Sequence, residues 1–365
     1  MAKVPSVVFV LPVKGASGGA NSVVQEALGL SELGVRCVVA VDAKNWGSFI
    51  DNYPELMGKA VVLRSYDSPN ALAELMRDCD VAVATTNVSV AEVSVALEAL
   101  SSKERAGVKL AYYVQDYEPL FYHPESEGWR IAHASYGTLK EATLFAKTKW
   151  LCDIVYLNHG IRVRKVTPSI DHGIYYPDLS LEKDYICVGA MLRVRTARRA
   201  PQRTARILQI LRDTVPEKIV LQVFGSSDEE LESVGIATSQ GIVNRGRLKR
   251  TEVPAFMRGC DLFLDLSDFQ AFGRTGLEAM ASGCIPLVPA LGGTDEYAIH
   301  GKNALVVDTR SDRHILDAVG MFLTLSDRER RTMQQAALET ASDFSIRKAA
   351  LSELRLFQEL CWQDH

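Results

Sequence analysis

Residues 7–41 read VVFVLPVKGASGGANSVVQEALGLSELGVRCVVAV. The first five are an unbroken apolar run, the composition of a strand buried on both faces. Pro12 ends the run, and residues 15–19 form a glycine-rich loop. Val23, Val24, Ala27, Leu28 and Leu33 then recur at helical spacing. Gly34 stops that helix, and residues 37–41 are a second apolar strand. A strand, a glycine loop, a helix and a second strand open a nucleotide-binding α/β fold. The loop does not hold the Gly-x-Gly-x-x-Gly register, which argues against a dinucleotide dehydrogenase.

The same grammar continues outward. Apolar runs predict strands at 60–63, 81–84 and 110–114, with helices at 71–76 and 90–100 between them. The second half restarts: strands at 185–191, 219–224, 262–266, 285–289 and 304–307, and helices at 204–211 and 277–281. Residues 167–177, TPSIDHGIYYP, are rich in turn residues and separate the halves. The expected organisation is α/β throughout: a Rossmann-like domain at 1–168, a linker at 169–177 and a second Rossmann-like domain at 178–345. A last helical pattern, from 346 toward 365, is expected to pack back on the first domain. Two such sheets facing a central cleft would bind a ligand at their carboxyl ends.

The chain has 365 residues, 47% hydrophobic and 24% charged, enough for two buried cores without disulfides or structural metal. Its seven cysteines form no Cys-x-x-Cys pair and read as reduced core thiols of a cytoplasmic protein. A net charge of -4 does not point to nucleic acid. The apolar run at 7–11 is too short for a signal peptide, and no stretch has the length of a transmembrane helix. His123, His133, His159 and His172 lack metal-ligand spacing, so no metal site is expected. Residues 140–150, KEATLFAKTKW, read as an amphipathic surface helix, or as an interfacial face for a lipid-linked acceptor at the inner membrane surface.

Chemistry concentrates in residues 265–286, DLSDFQAFGRTGLEAMASGCIP. A glycine turn that leads into a helix offers backbone N–H groups and a positive dipole end, suited to a diphosphate. Residues 272–278 and 277–281, with Gly283, Pro286 and the Gly-Gly-Thr-Asp-Glu run at 292–296, resemble the signature of retaining glycosyltransferases of the GT-B fold. Their pattern is Glu-x7-Glu. The resemblance implies two facing Rossmann-like domains and a nucleotide-sugar donor linked to UDP, GDP or dTDP, used as substrate with no other cofactor. It makes Glu278 the ribose ligand, and Phe272, Gly273, Arg274 and Thr275 part of the donor turn. The family's first Glu falls at Gln270. An amide binds hydroxyls but is not a carboxylate nucleophile, so a front-face displacement is expected, with the leaving phosphate taking the acceptor proton.

The run GAMLRVRTARRAP at 189–201 supplies cations. The family grips the pyrophosphate with two basic residues five apart, and Arg193 and Arg198 have that spacing; Arg195 and Arg199 are alternatives to the second. Fixed guanidiniums replace a metal in this role. By the same resemblance, backbone groups near Arg247 and Leu248 pair with the base edge. Gly19 is either a phosphate-approaching glycine or a plain turn. In AYYVQDYEPLF, residues 111–121, Asp116 either orients an acceptor hydroxyl or holds a backbone turn. Its wording is similar to bacterial rhamnosyltransferases of surface-polysaccharide synthesis. The implied function is transfer of one sugar to a glycan or lipid-linked glycan. The alternatives are an epimerase or phosphorylase on the same scaffold, or a non-catalytic nucleotide-sugar-binding subunit of a partner transferase. A homodimer also fits.

Overall fold

The structure is a computed structural model, which describes residues 4–15, 17–58, 60–178, 183–215, 219–237 and 241–362. Ala16 of the glycine loop and residues 363–365 of the terminal helical pattern lie outside the described residues. The chain divides into two compact units, Met1–Ser169 with Ser345–His365, and Ile170–Phe344.

The first unit runs β1 (Val7–Leu11), α1 (Gly18–Glu32), β2 (Cys37–Asp42), α2 (Trp46–Asn52), β3 (Val62–Tyr66), α3 (Pro69–Arg77) and β4 (Val81–Ala84). It continues with α4 (Asn87–Glu98), α5 (Ser102–Gly107), β5 (Lys109–Val114), α6 (Glu127–Thr138), β6 (Thr143–Ala146), α7 (Lys149–His159) and β7 (Arg164–Lys165). The second unit holds β8 (Ile186–Met191), α8 (Pro201–Thr214), β9 (Ile219–Phe224), α9 (Asp228–Glu232), β10 (Ile242–Asn244) and α10 (Val253–Arg258). After these come β11 (Leu262–Leu264), α11 (Arg274–Ala281), β12 (Ile285–Pro289), β13 (Leu305–Val307), α12 (Asp312–Thr324) and α13 (Asp327–Ser342). The chain ends in α14 (Ile346–Trp362).

Each unit carries one parallel sheet, ordered β3-β2-β1-β4-β5-β6-β7 and β10-β9-β8-β11-β12-β13 among the described residues. Both orders are doubly wound: the chain steps outward from the first strand, then returns to its other side. The central strands are apolar on both faces because helices cover both, whereas the edge strands β3 and β7 carry exposed polar residues. Every residue of β1, β4 and β12 is buried. Capping residues start the helices where expected from chemistry. Ser17, Ser68, Thr86 and Thr148 each accept a hydrogen bond from a backbone N–H in the first turn.

The terminal helix α14 lies against α1. Phe357, Leu356 and Leu360 join the core of the first unit. Gly29 permits the approach, since a Cβ there would fall 2.7 Å from Ile346 and 3.0 Å from Ala350. Residues that follow Ser169 enter the second core: Ile170 and Tyr175 are buried with Phe256, Phe263 and Leu277.

Residues 140–150 correct an expectation. They do not form one surface helix. Residues 144–146 are buried in β6, and α7 begins only at Lys149. Lys147 is buried and forms an ion pair with the fully buried Glu26 of α1. The mixed polar and apolar pattern arises because a four-residue strand is flanked by a lysine whose partner lies 121 positions away. No helix among the described residues is long and apolar enough to cross a membrane.

Candidate functional site

In a doubly wound sheet the crevice opens where strand order reverses, at the carboxyl ends of the two central strands. In the second unit those strands are β8 and β11. The residues after β8 are the arginine-rich loop, and those after β11 lead through Gln270 to α11. The fold itself therefore brings the two chemically loaded segments together.

The loops are knit by hydrogen bonds. The Asp268 N–H donates to the Arg198 carbonyl at 2.9 Å, and Arg203 donates to the Leu266 carbonyl at 3.0 Å and to Asp268 at 2.8 Å. Arg199, rather than Arg198, reaches the buried Asp265 carboxylate, at 3.4 Å. Arg198 instead lies over the Phe269 ring, 5.5 Å from its centroid. Arg193 has no acidic partner among the described residues. Desolvation first, and then the charges of Arg199, Arg198 and Arg247, hold its guanidinium below the ordinary arginine range. Of these three, Arg199 is paired with the buried Asp265 and Arg247 with Glu230 at the rim. Glu230 takes Arg247 and Arg195.

Asp265 organises the floor. Its carboxylate accepts from the Ser267 hydroxyl and, at 3.2 Å, from the Ser267 N–H. It also accepts from the Thr275 hydroxyl at 2.9 Å and from the Gln270 amide Nε2 at 2.6 Å. Gln270 Nε2 also donates to Ser267 Oγ at 3.0 Å. The Gln270 backbone carbonyl accepts from the Gly293 N–H at 2.8 Å. Gly292 must be glycine for this, since a Cβ there would lie 2.0 Å from that carbonyl at a φ of +120°.

Gly273 adopts φ +79° as the N-cap of α11, and the buried Tyr297 hydroxyl donates to its carbonyl at 2.6 Å. Phe272 packs edge-on against Tyr297, with centroids 5.5 Å apart. Arg274 and Thr275 form the first turn of α11. Glu278 is buried on the same helix. Burial pushes its carboxyl up to about 7, opposed by Arg274, by a hydrogen bond from Tyr175, and by Arg199 and Arg250. Leu248 is partly buried and packs against the core cluster that holds Phe256.

Gly19 and Asp116 belong to the first unit. Gly19 stands in the first turn of α1, and a Cβ on it would meet Gln115 Oε1 at 2.8 Å. Asp116 Oδ1 accepts from the Tyr117 N–H at 2.9 Å, a turn-holding contact. Glu118 stands in the same segment, among the polar residues the sequence offers beside Asp116. It is buried, accepts from the first N–H of α4 at 2.9 Å, and is pushed up to about 7 by burial. Asp265, Ser267, Tyr175 and Tyr297 escape a sequence reading. Each acts through a contact that no spacing reveals.

Residues 196–339 match the family model for glycosyl transferases, group 1. The chain is 26% identical over 115 residues to the uncharacterized glycosyltransferase MJ1178 of Methanocaldococcus jannaschii, covering 32% of each. It is 29% identical over 258 residues to the O-antigen biosynthesis protein RfbC of Myxococcus xanthus, covering 70% of this chain and 19% of that protein. The matched stretches thus span about a third or less of these curated relatives. Among solved structures, Anabaena HepE in complex with UDP and glucose superposes with a TM-score of 0.79 at 15% identity, over 97% of this chain and 100% of that one. Sucrose-phosphate synthase from Thermosynechococcus elongatus does so at 0.73 and 14%, over 97% and 98%. The fold is GT-B: two α/β units, each with a Rossmann-like parallel sheet.

Proposed function

We propose that this chain is a retaining, metal-independent glycosyltransferase that moves a sugar from a nucleotide diphosphate to a hydroxyl of a glycan or lipid-linked glycan. The observation that carries the reading is the meeting of the loop after β8, with Arg193, Arg198 and Arg199, and the turn into α11 at the switch point of the second sheet, where the Arg198 carbonyl accepts from the Asp268 N–H and Arg199 reaches Asp265. Clustered guanidiniums repel one another, and a diphosphate relieves that repulsion. Arg193 with Arg198 or Arg199 holds the leaving phosphates, aided by the N-terminal dipole of α11. Glu278 accepts from the ribose hydroxyls, and backbone groups near Arg247 and Leu248 meet the base. Gln270 contacts the sugar. Because an amide cannot form the covalent glycosyl ester, the acceptor attacks on the face the phosphate leaves, and a phosphate oxygen takes its proton. Asp116 serves the acceptor side, and Gly19 is the phosphate-approaching glycine of the first unit. UDP is the first nucleotide to test, since HepE was solved with it. The likeness to the O-antigen protein makes a surface glycan the first acceptor class to try.

A thermal-shift panel of UDP, GDP and dTDP with their sugar conjugates is expected to select one base. The matched donor is then slowly hydrolysed, with EDTA leaving the rate unchanged. No stabilisation by any nucleotide would sink the reading. Gln270 favours a second one, a nucleotide-sugar-binding subunit without turnover; tight binding with no hydrolysis or transfer distinguishes it.

Glu278 makes the nucleotide affinity pH-dependent. Its folded value is raised to about 7, so it must shed a proton to accept two hydroxyls. Nucleoside diphosphate affinity is expected to fall as pH drops through about 7, and Glu278→Gln flattens that profile while weakening binding. The sign for stability is opposite. A raised folded value contributes stability below the ordinary carboxyl value that is lost as pH rises through about 7, so unliganded Glu278→Gln gains up to about 3 kcal/mol at pH 8. Calorimetry at pH 6 and 8 checks the first point and chemical denaturation the second. Gln270→Ala should weaken nucleotide binding less than Glu278→Ala; the reverse order removes Glu278 from the ribose.

A further inference from the structure

Gln270 and Asp265 are two halves of one device. Asp265 can only accept hydrogen bonds. The amide of Gln270 therefore has to present Nε2 to it, and does so at 2.6 Å, while the same nitrogen donates to Ser267 Oγ at 3.0 Å. Both Nε2 hydrogens are used. This fixes the amide's orientation and leaves Oε1 as its acceptor atom. Both side chains are buried, at 5% and 3% exposure, so water does not screen the pair. Asp265 is in turn held by Thr275 from the first turn of α11 and by Arg199 from the loop after β8. Both belong to segments that carry the donor in the proposed reading. A carboxyl at position 270 would stand within hydrogen-bond distance of the Asp265 carboxyl, and the two would have to share a proton.

We infer that Asp265 is a positioning residue: it excludes a carboxylate from position 270 and aims the Gln270 carbonyl oxygen at the hydroxyls of the donor sugar. The negative charge of this part of the site thus resides on residue 265, one hydrogen bond behind the sugar. The inference rests on the nucleotide-sugar reading and adds to it the group that decides how the sugar, as distinct from the nucleotide, is held.

The test uses Asp265→Asn, Gln270→Glu and the exchange Asp265→Asn/Gln270→Glu in the full chain. Affinities for UDP, GDP and dTDP and for their glucose, mannose and rhamnose conjugates are measured from pH 5.5 to 8.5. Each single variant is expected to keep the nucleoside diphosphate affinity within about threefold, yet to lose about tenfold in the extra affinity that the sugar adds, the size of one misplaced hydrogen bond. Gln270→Glu also acquires an ionisation in the sugar's added affinity, separate from that of Glu278, which the parent shows in its nucleotide affinity. The exchange removes that ionisation and recovers most of the sugar's contribution, because it only swaps the two partners: an amide at position 265 can donate to a carboxylate at position 270. A purely structural role predicts equal losses for nucleotide and conjugate, with no new ionisation. That result overturns the inference, as does Gln270→Glu binding sugar and nucleotide like the parent at every pH. If no nucleotide binds the parent, the donor reading itself fails and takes the inference with it.

Discussion

Lys147→Met should destabilise the first unit by about 3–5 kcal/mol at neutral pH, the cost of leaving one member of a buried ion pair without its partner. Glu26 and Glu353 are fully buried, Glu26 on α1 and Glu353 on α14. Lys147 neutralises Glu26, and the Tyr113 hydroxyl donates to the same carboxylate at 3.2 Å. The ammonium also stands 5.6 Å from the Tyr113 ring centroid. Neither oxygen of Glu353 meets a donor. Burial, and then the charge of Glu26, hold Glu353 well above the usual carboxyl range, against the opposing pull of Lys147. One cation thus serves two buried carboxyls. Without the lysine they face each other unopposed, and Glu353 loses the one charge that pulls its value down. A raised folded value costs stability only above the ordinary carboxyl value. The deficit of Lys147→Met should therefore shrink as pH falls toward 4, and Lys147→Met/Glu26→Gln should recover most of it at pH 7. Urea denaturation at pH 4.5 and 7 reads both. An equal deficit at the two pH values would show that lost packing, not charge, is responsible.

Arg193→Ala should lower donor turnover by about 10²- to 10³-fold, the usual cost of removing one fixed donor from a developing anion. Its charge has no acidic partner among the described residues and is held among Arg198, Arg199 and Arg247. That arrangement does nothing for the unliganded fold, so stability should stay level or rise slightly as repulsion is relieved. The diphosphate gains charge only as the glycosidic bond breaks, so kcat should fall more than KM rises. Arg193→Lys should restore a minor part, because a point charge does not reproduce a planar fork. Unchanged turnover in a folded Arg193→Ala protein would falsify the assignment.

What the chain shows locally and what it hides separate along one physical line. Strands β1, β4 and β12 are legible because an unbroken apolar run has few other homes than a sheet covered on both faces. The turn into α11 is legible because Gly273 and the helix pattern after it are local chemistry. Residues 140–150 mislead a local reading because a four-residue strand gives little periodicity, and because Lys147 looks like a surface residue until Glu26 is placed beside it. Glu118 shows in one dimension only as an acid beside Asp116, with no hint of its burial, and Tyr175 and Tyr297 carry no signal at all. Their partners, Asn87, Glu278 and Gly273, are distant in the chain.

Backbone propensity, apolar periodicity and glycine placement act over a few residues, so the sequence by itself determined the α/β alternation, two sheets, and a donor turn with an amide at position 270. Hydrogen bonding and charge pairing act across space. Only the tertiary structure therefore decided that Arg199 is the arginine on Asp265, that Glu278 is buried enough to titrate near neutrality, and that the Gln270 amide faces a carboxylate already held at Asp265.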